Sequence, residues 1–335
     1  MTERSIDEQL NKYLADVHAV EEQSLTQLRR APDIAGDERL AAIFQEHLLE
    51  TAGHEDRIRR RLEARGADPS TLKDLAGRAG ALGMVAFAQA NPDTPGKLTA
   101  HAFSYEHMEV AAYELLRRAA DQAGDEETGE VSRRNLAEEH AMARRLEEAF
   151  DVAVSASLSE IDADEIEDRL VKHLDDAHAI EQQAAQLLKK GPKLVDDERL
   201  AEVFDQHLGQ TEEHSQRIEE RLEAHDAQPS RFQDIAMRGQ ALNFGAFFKA
   251  QPDTTAKLAG FAFAFEHLEV AAYELLRRVP VRAGDEDTVR AAESILPEER
   301  AAAEGIAGLW DRAIEVGLAE QVPATSLPTD TREMG

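Results

Sequence analysis

The stretch HLLETAGHEDRI, residues 47–58, places His47, Thr51 and His54 on the buried face of a helix. That face runs Leu40, Phe44, His47, Thr51, His54, Ile58 and Leu62, so polar side chains fill two whole turns of an apolar stripe. Three other helical stripes are interrupted in the same way. Glu21 sits within Leu10, Leu14, Val17, Leu25 and Leu28; Glu106 shares a face with Phe103, Val110 and Tyr113, with Glu109 a turn away; Glu139 sits within Leu136, Ala143, Leu146 and Phe150. Ionised carboxylates facing one core repel one another and lose hydration worth several kcal/mol each, unless a cation neutralises them or they take up protons. No Lys or Arg lies on these stripes at that level. Imidazole and carboxylate together form a nitrogen-and-oxygen ligand set suited to iron, manganese or zinc. A polar layer satisfied by its own hydrogen bonds, with Tyr113 and Thr51 as donors and one or two glutamates protonated, is the competing account. His18 and His107 fall beside these faces and read as packed or supporting histidines.

The whole set recurs 160 residues later without a gap: Glu181, His207, Thr211, His214, Glu266, Glu269, Tyr273 and Glu299. DERLAAIFQEHL at 37 returns as DERLAEVFDQHL at 197, and EHMEVAAYELLRR at 106 as EHLEVAAYELLRR at 266. One module is therefore written twice. Between the copies Glu50 becomes Gln210, His101 Phe261, His140 Arg300 and Met142 Ala302, which makes those four poor candidates for a role common to both.

Local punctuation predicts the helices that must carry these residues. Ser5 with Glu8 reads as a capping box opening the first helix, which runs to a turn at Pro32; the second spans from Asp37 to just before Gly66. Asp68-Pro69-Ser70 opens a shorter helix ending at Asn91-Pro92, Thr94 with Pro95 caps the third long helix, and Gly124-Asp125 turns the chain into the fourth. Short loops make the first pair and the second pair antiparallel, and the long stretch between them crosses the bundle. The expected fold is all-α: two tandem four-helix bundles, residues 1–158 and 159–321, each with one long crossover, and a disordered tail at 322–335. Pro297, just ahead of Glu299, is expected to start or kink the last helix of the second copy.

Composition agrees with this class. The 335 residues are 42% hydrophobic but only 5% aromatic, and good helix formers dominate. A net charge of -29 disfavours nonspecific contact with nucleic acid or anionic membranes and suits cations. With no cysteine, thiolate metal sites and disulfides are excluded. No apolar run approaches a membrane span, so the cytoplasm is the default location.

The stretches FQEHLLETAGHEDRIRRRLEARG and FSYEHMEVAAYELLRRA, followed by LAEEHA, resemble the YciE/YciF family (DUF892) of ferritin-like, rubrerythrin-like proteins over nearly all of both copies. The resemblance implies a ferritin-like bundle, a bacterial stress response, ferroxidase chemistry on Fe2+ with O2 or H2O2, and frequent dimers, so that a tandem chain would be an intramolecular pseudo-dimer open to further oligomerisation. Carried over by position, the di-iron pattern falls on Glu21, His54, Glu106, Glu109 and Glu139, and on Glu181, His214, Glu266, Glu269 and Glu299. Two departures stand out. The Glu-x-x-His pair expected on two helices reads Thr51-x-x-His54 on one, and Glu139-x-x-Met142 or Glu299-x-x-Ala302 on the other. His47 and His207 are then either substitute ligands or supports for the others. Tyr113 and Tyr273 are the candidate catalytic residues, giving a hydrogen bond or an electron. The leading expectation is an iron site, with manganese or zinc as other occupants; the alternatives are manganese-catalase-like peroxide scavenging and a non-catalytic stress or scaffold protein whose Glu/His layer is structural.

Overall fold

The computed structural model describes residues 3–67, 95–159, 161–162, 165–195, 197–230 and 254–320. The expected crossover helix after Asp68 and the expected tail from residue 322 lie outside the described residues. Every regular element among them is helical. The first copy contains α1 (Glu3–Leu28), a single turn α2 (Ala31–Ile34), α3 (Glu38–Ala64), α4 (Pro95–Ala123) and α5 (Glu126–Ser157). The second contains α6 (Ile166–Lys190), α7 (Glu198–Ala224), α8 (Thr254–Leu276), the short α9 (Val279–Ala283), α10 (Glu286–Ala307) and α11 (Trp310–Glu320). In the first bundle α3 and α4 both pack on α1 and on α5, and α6, α7, α8 and α10 repeat the arrangement.

Aspartates start the helices. Asp37 accepts from the amides of Arg39 and Leu40 at 2.8 and 3.3 Å, and Asp125 from Thr128 at 3.0 Å; Asp197 and Asp285 do the same for α7 and α10. Each satisfies an amide that has no partner within its helix and places negative charge at the positive end of the dipole. The Ser5–Glu8 box is not such a start. α1 begins ahead of it, at Glu3, so Ser5 lies inside the helix, whereas a cap residue must be non-helical. After α3 the chain turns at Gly66 with φ +69°; in the second copy Asp226 takes the same left-handed region at φ +54°, which aspartate tolerates better than most residues.

The third helix is apolar nearly all round because it has two neighbours to satisfy. One face of α4 belongs to its own bundle and the other packs on α8, its counterpart in the second copy. Across that contact the Ser104 hydroxyl donates to the Ala264 carbonyl at 2.9 Å, and the rings of His107 and His267 stack at 3.4 Å with 14° between planes. A single apolar cluster runs from Leu10 and Val110 through Phe263 to Trp310, so apolar side chains of the two copies pack on one another.

The third and fourth helices are shorter in the second copy. Pro280 stands where α4 has Ala120; proline has no amide to donate and its ring collides with the carbonyl a turn back, so α8 stops at Leu276 and α9 restarts with Pro280 in its first turn. Gly308 and Leu309 similarly divide α10 from α11 where α5 runs unbroken. Pro297, expected to start or kink the last helix, does not start it: α10 begins at Glu286 behind its Asp285 cap and continues past Pro297, anchored by buried Ile295, Leu296 and Glu299.

Candidate metal centre

The four helices bring their polar interruptions to one level of the first bundle. Glu21 comes from α1, His47 and His54 from α3, Glu106 and Glu109 from α4, and Glu139 from α5, and none is more than 1% exposed. Bulk water therefore cannot neutralise them. Two overlapping groups result, in each of which the ligand-capable atoms lie within 4.8 Å of one another: Glu21, His54 and Glu139 in one, and His47, Glu106, Glu109 and Glu139 in the other. Glu139 belongs to both. Its Oε1 is 2.6 Å from His54 Nδ1 and its Oε2 is 3.6 Å from His47 Nε2. Glu106 Oε2 lies 3.1 Å from His47 Nε2, and Glu21 Oε2 lies 3.7 Å from His54 Nδ1.

Outer partners aim the inner atoms. His47 meets Glu50 through Nδ1 at 2.9 Å, which turns Nε2 inward; His54 meets Glu138 through Nε2 at 2.8 Å, which turns Nδ1 inward. Such a carboxylate fixes the tautomer of a metal-binding histidine and raises its basicity. The Tyr113 hydroxyl donates to Glu21 Oε1, leaving Oε2 to face the centre, and itself accepts from Asn135 Nδ2 at 2.7 Å. Arg57 completes the chain, with its Nε donating to Asn135 Oδ1 at 2.7 Å. Thr51 turns away: its hydroxyl donates back to the His47 carbonyl at 2.9 Å.

The electrostatics show what the cluster lacks. Burial would depress His47, but Glu106, with Glu50 and Glu139, pushes it up to about 10. Burial opposes His54 likewise, and Glu139 and Glu21 push it up to about 11. Burial drives Glu109 well above the usual carboxylate range, reinforced by Glu139, Glu21 and Glu106. Glu139 rises to about 8 through burial and the charges of Glu21 and Glu106, against the pull of His54. Both imidazoles and the carboxyls of Glu109 and Glu139 thus hold protons that a bound cation would displace. Moreover Glu21 Oε2, His47 Nε2, His54 Nδ1, Glu106 Oε2 and the oxygens of Glu109 and Glu139 are buried and turned mainly toward one another, several at ion-pair distance. Buried polar atoms are almost always satisfied, so a ring of such atoms pointing at one volume fits a divalent cation. These buried His/Glu groups could hold a metal ion.

The second bundle repeats the arrangement with Glu181, His214 and Glu299 in one group and His207, Glu266, Glu269 and Glu299 in the other. Burial pushes Glu181, Glu266 and Glu269 upward, and His207 reaches about 11 against burial through Glu266 and Glu299. A family described as a domain of unknown function, DUF892, matches the chain twice, at residues 5–159 and 165–319. The chain belongs to the DUF892/YciF family. No solved structure matches it. The two DUF892 units contain the two bundles, and each contributes every member of its own ring.

Several sequence expectations can now be placed. All six charged candidates of each copy converge, and His47 and His207 stand inside the ring. Tyr113 and Tyr273 reach it through Glu21 and Glu181. His18 pairs with Glu55 at 3.0 Å outside both groups, and His107 lies in the stack between copies, donating through Nδ1 to the Phe103 carbonyl at 2.7 Å. The exclusion of Glu50 for any shared role needs correcting: Gln210 accepts from His207 Nδ1 at 3.1 Å, so acceptor function survives the change of residue. Glu138 and Glu298 were missed altogether. Their signal was the doubled glutamate, Glu138-Glu139 and Glu298-Glu299, present in both copies.

Proposed function

We propose that each DUF892 unit binds a pair of transition-metal ions and oxidises Fe2+ with O2 or H2O2, the two units acting as an intramolecular pseudo-dimer. The observation that carries this is the ring of buried ligand-capable atoms, crowded against one another and divided into two groups that share Glu139, or Glu299 in the second unit. A carboxylate common to two groups is what a paired site requires. The ligand count also closes. A di-iron bundle uses four glutamates and two histidines; with Thr51 and Met142 at the places of the usual Glu and His, His47 and the second glutamate of α4 bring each ring back to that number.

Iron bound there supplies one-electron redox chemistry. Fe2+ is the substrate: one H2O2 takes one electron from each of two Fe2+ and two protons from the surrounding water, its O–O bond breaks, and two Fe3+ and two waters result. The residues do the rest. The glutamates neutralise the added charge as iron is oxidised, and the protons held by His47, His54, Glu109 and Glu139 are the ones released when Fe2+ binds. Tyr113 and Tyr273 hold one oxygen of Glu21 and Glu181, a position from which a phenol can pass an electron while its proton moves to the carboxylate. The burial of the centre keeps water away from the ligands.

The test is to purify the chain without chelators, load it with Fe2+ anaerobically and count metal, for the parent and for Glu139→Ala with Glu299→Ala. The parent should hold up to four ions per chain and turn over Fe2+ when peroxide is added; the double variant should hold none. A parent that retains no stoichiometric metal would make the Glu/His layer a structural network and overturn the proposal.

A further inference from the structure

The two centres share their inner ring and differ around it. In the first, Glu50 is clamped between His47 Nδ1 at 2.9 Å and Arg145 at 2.5 Å, with Arg145 also reaching Glu46 at 3.4 Å. In the second the corresponding residues are Gln210, Gly305 and Gln206, so a charged trio has become neutral. Gln210 accepts from His207 at 3.1 Å, and its amide donates to Glu298 only at 3.4 Å. On the other side, Glu138 is held by Arg57 at 2.6 Å and Arg134 at 3.2 Å. Beside its counterpart Glu298 the sequence has Ser294 in place of Arg134, and Arg217 donates to Ser294 at 3.3 Å. The Tyr113–Asn135–Arg57 chain is also cut, because Ile295 replaces Asn135.

We infer that the two centres are inequivalent: Glu50 with Arg145 and Asn135 with Arg57 are positioning residues that make the first centre the tight, fixed one and leave the second weaker and exchanging. The inference rests on the metal-binding reading above. A histidine locked by a carboxylate that is itself locked by an arginine is held in its binding orientation before the metal arrives. A histidine on a neutral amide with a long second contact must be ordered by the metal. Loss of such outer partners costs a metal site about 10–100-fold in affinity.

Titration of the full-length, metal-free chain with Co2+, followed by its visible absorption bands, tests this. The parent should fill two classes of site separated by about 10–100-fold. Glu299→Ala should keep only the tight class and Glu139→Ala only the weak one. Adding Glu50→Gln to Glu299→Ala should weaken the remaining class and shift its bands, a spectral change that loss of stability alone would not produce. The reverse graft, Gln210→Glu with Gly305→Arg in the Glu139→Ala chain, should tighten the weak class; a side chain has room at Gly305, where an added Cβ meets only Val203 Cγ1 at 3.8 Å. Equal affinities in Glu139→Ala and Glu299→Ala, or a graft that leaves the weak class unmoved, would overturn the inequivalence while sparing metal binding. No Co2+ uptake at all would remove both.

Discussion

The third and fourth helices of the second bundle are shorter than those of the first, divided near Pro280 and at Gly308, yet its inner ring is the same. The imidazole of the second histidine lies 2.6 Å from the α5 or α10 glutamate in both copies and 3.7 Å from the first-helix glutamate in both. The other histidine differs by a few tenths of an ångström: 3.1 against 2.9 Å to the third-helix glutamate. Around these rings almost every arginine contact has changed. The difference separates two kinds of constraint. A ring of buried charges has to close on itself, because each member lost leaves the others uncompensated at several kcal/mol. Outer arginines are partly exposed, so losing one costs far less, and their sites drift.

Breaking the shared carboxylate gives the largest effect. Since Glu139 belongs to both groups of its bundle, Glu139→Ala should halve the metal carried per chain, while Glu21→Ala, which touches one group, should remove only a quarter. Metal-to-protein ratios after anaerobic loading measure this; equal losses would mean that Glu139 is not shared. Next in size is the dependence on pH. Glu139 held near 8, and Glu109 held above the carboxylate range, carry protons at neutral pH that a metal must displace. Binding must therefore weaken as pH falls, by about tenfold per unit for each proton released. Calorimetry in two buffers of different ionisation enthalpy counts those protons, and a heat independent of buffer would contradict the shift.

Metal removal should cost stability in proportion. Saturation at a hundred times Kd adds about 2.7 kcal/mol per site, so melting temperature should climb with metal concentration, and a chelator should reverse it. In the Glu139→Ala, Glu299→Ala chain the same additions should leave the melt unmoved. The smallest effect belongs to Thr51. Its hydroxyl bonds only to the His47 carbonyl, so Thr51→Ala should cost about 1 kcal/mol or less and leave stoichiometry intact. A loss of metal in that variant would place Thr51 among the ligands and weaken the case that His47 takes its place.

How much of this was legible varies by residue. The seam logic found Glu21, His54, Glu106, Glu109 and Glu139 because helical period places a/d residues in a core whatever their polarity, and a buried charge is conspicuous. It also put His47 on that face but left its role open, since which nitrogen of an imidazole points inward depends on the partner of the other. Glu138 was passed over because it lies beside the seam and reaches His54 only by extending across to α3. Glu50 reads as a poor candidate in sequence because its counterpart is Gln210; a ligand role would justify that, but accepting a hydrogen bond from a histidine needs only an oxygen, which an amide also has. The start expected at Pro297 falls instead at Glu286, because a proline's effect depends on what holds the helix around it. Pro297 and Pro280 look alike in a sequence, yet one falls within a helix held by buried neighbours and the other begins a new turn.

Sequence alone determined the helical class, the duplication and the membership of the ring, because these follow from periodicity and from the energetic cost of burying carboxylates, both of which are local or additive. Tertiary structure decided the rest. Only the packing of α4 on α8 explains why the third helix is apolar on every side. Only the side-chain directions divide six candidate side chains into two groups with a shared glutamate. And only the contacts between helices show that one ring is braced by arginines and the other is not, because a residue such as Arg145 acquires its meaning from Glu50 on another helix, a distance in sequence that no pattern along the chain reports.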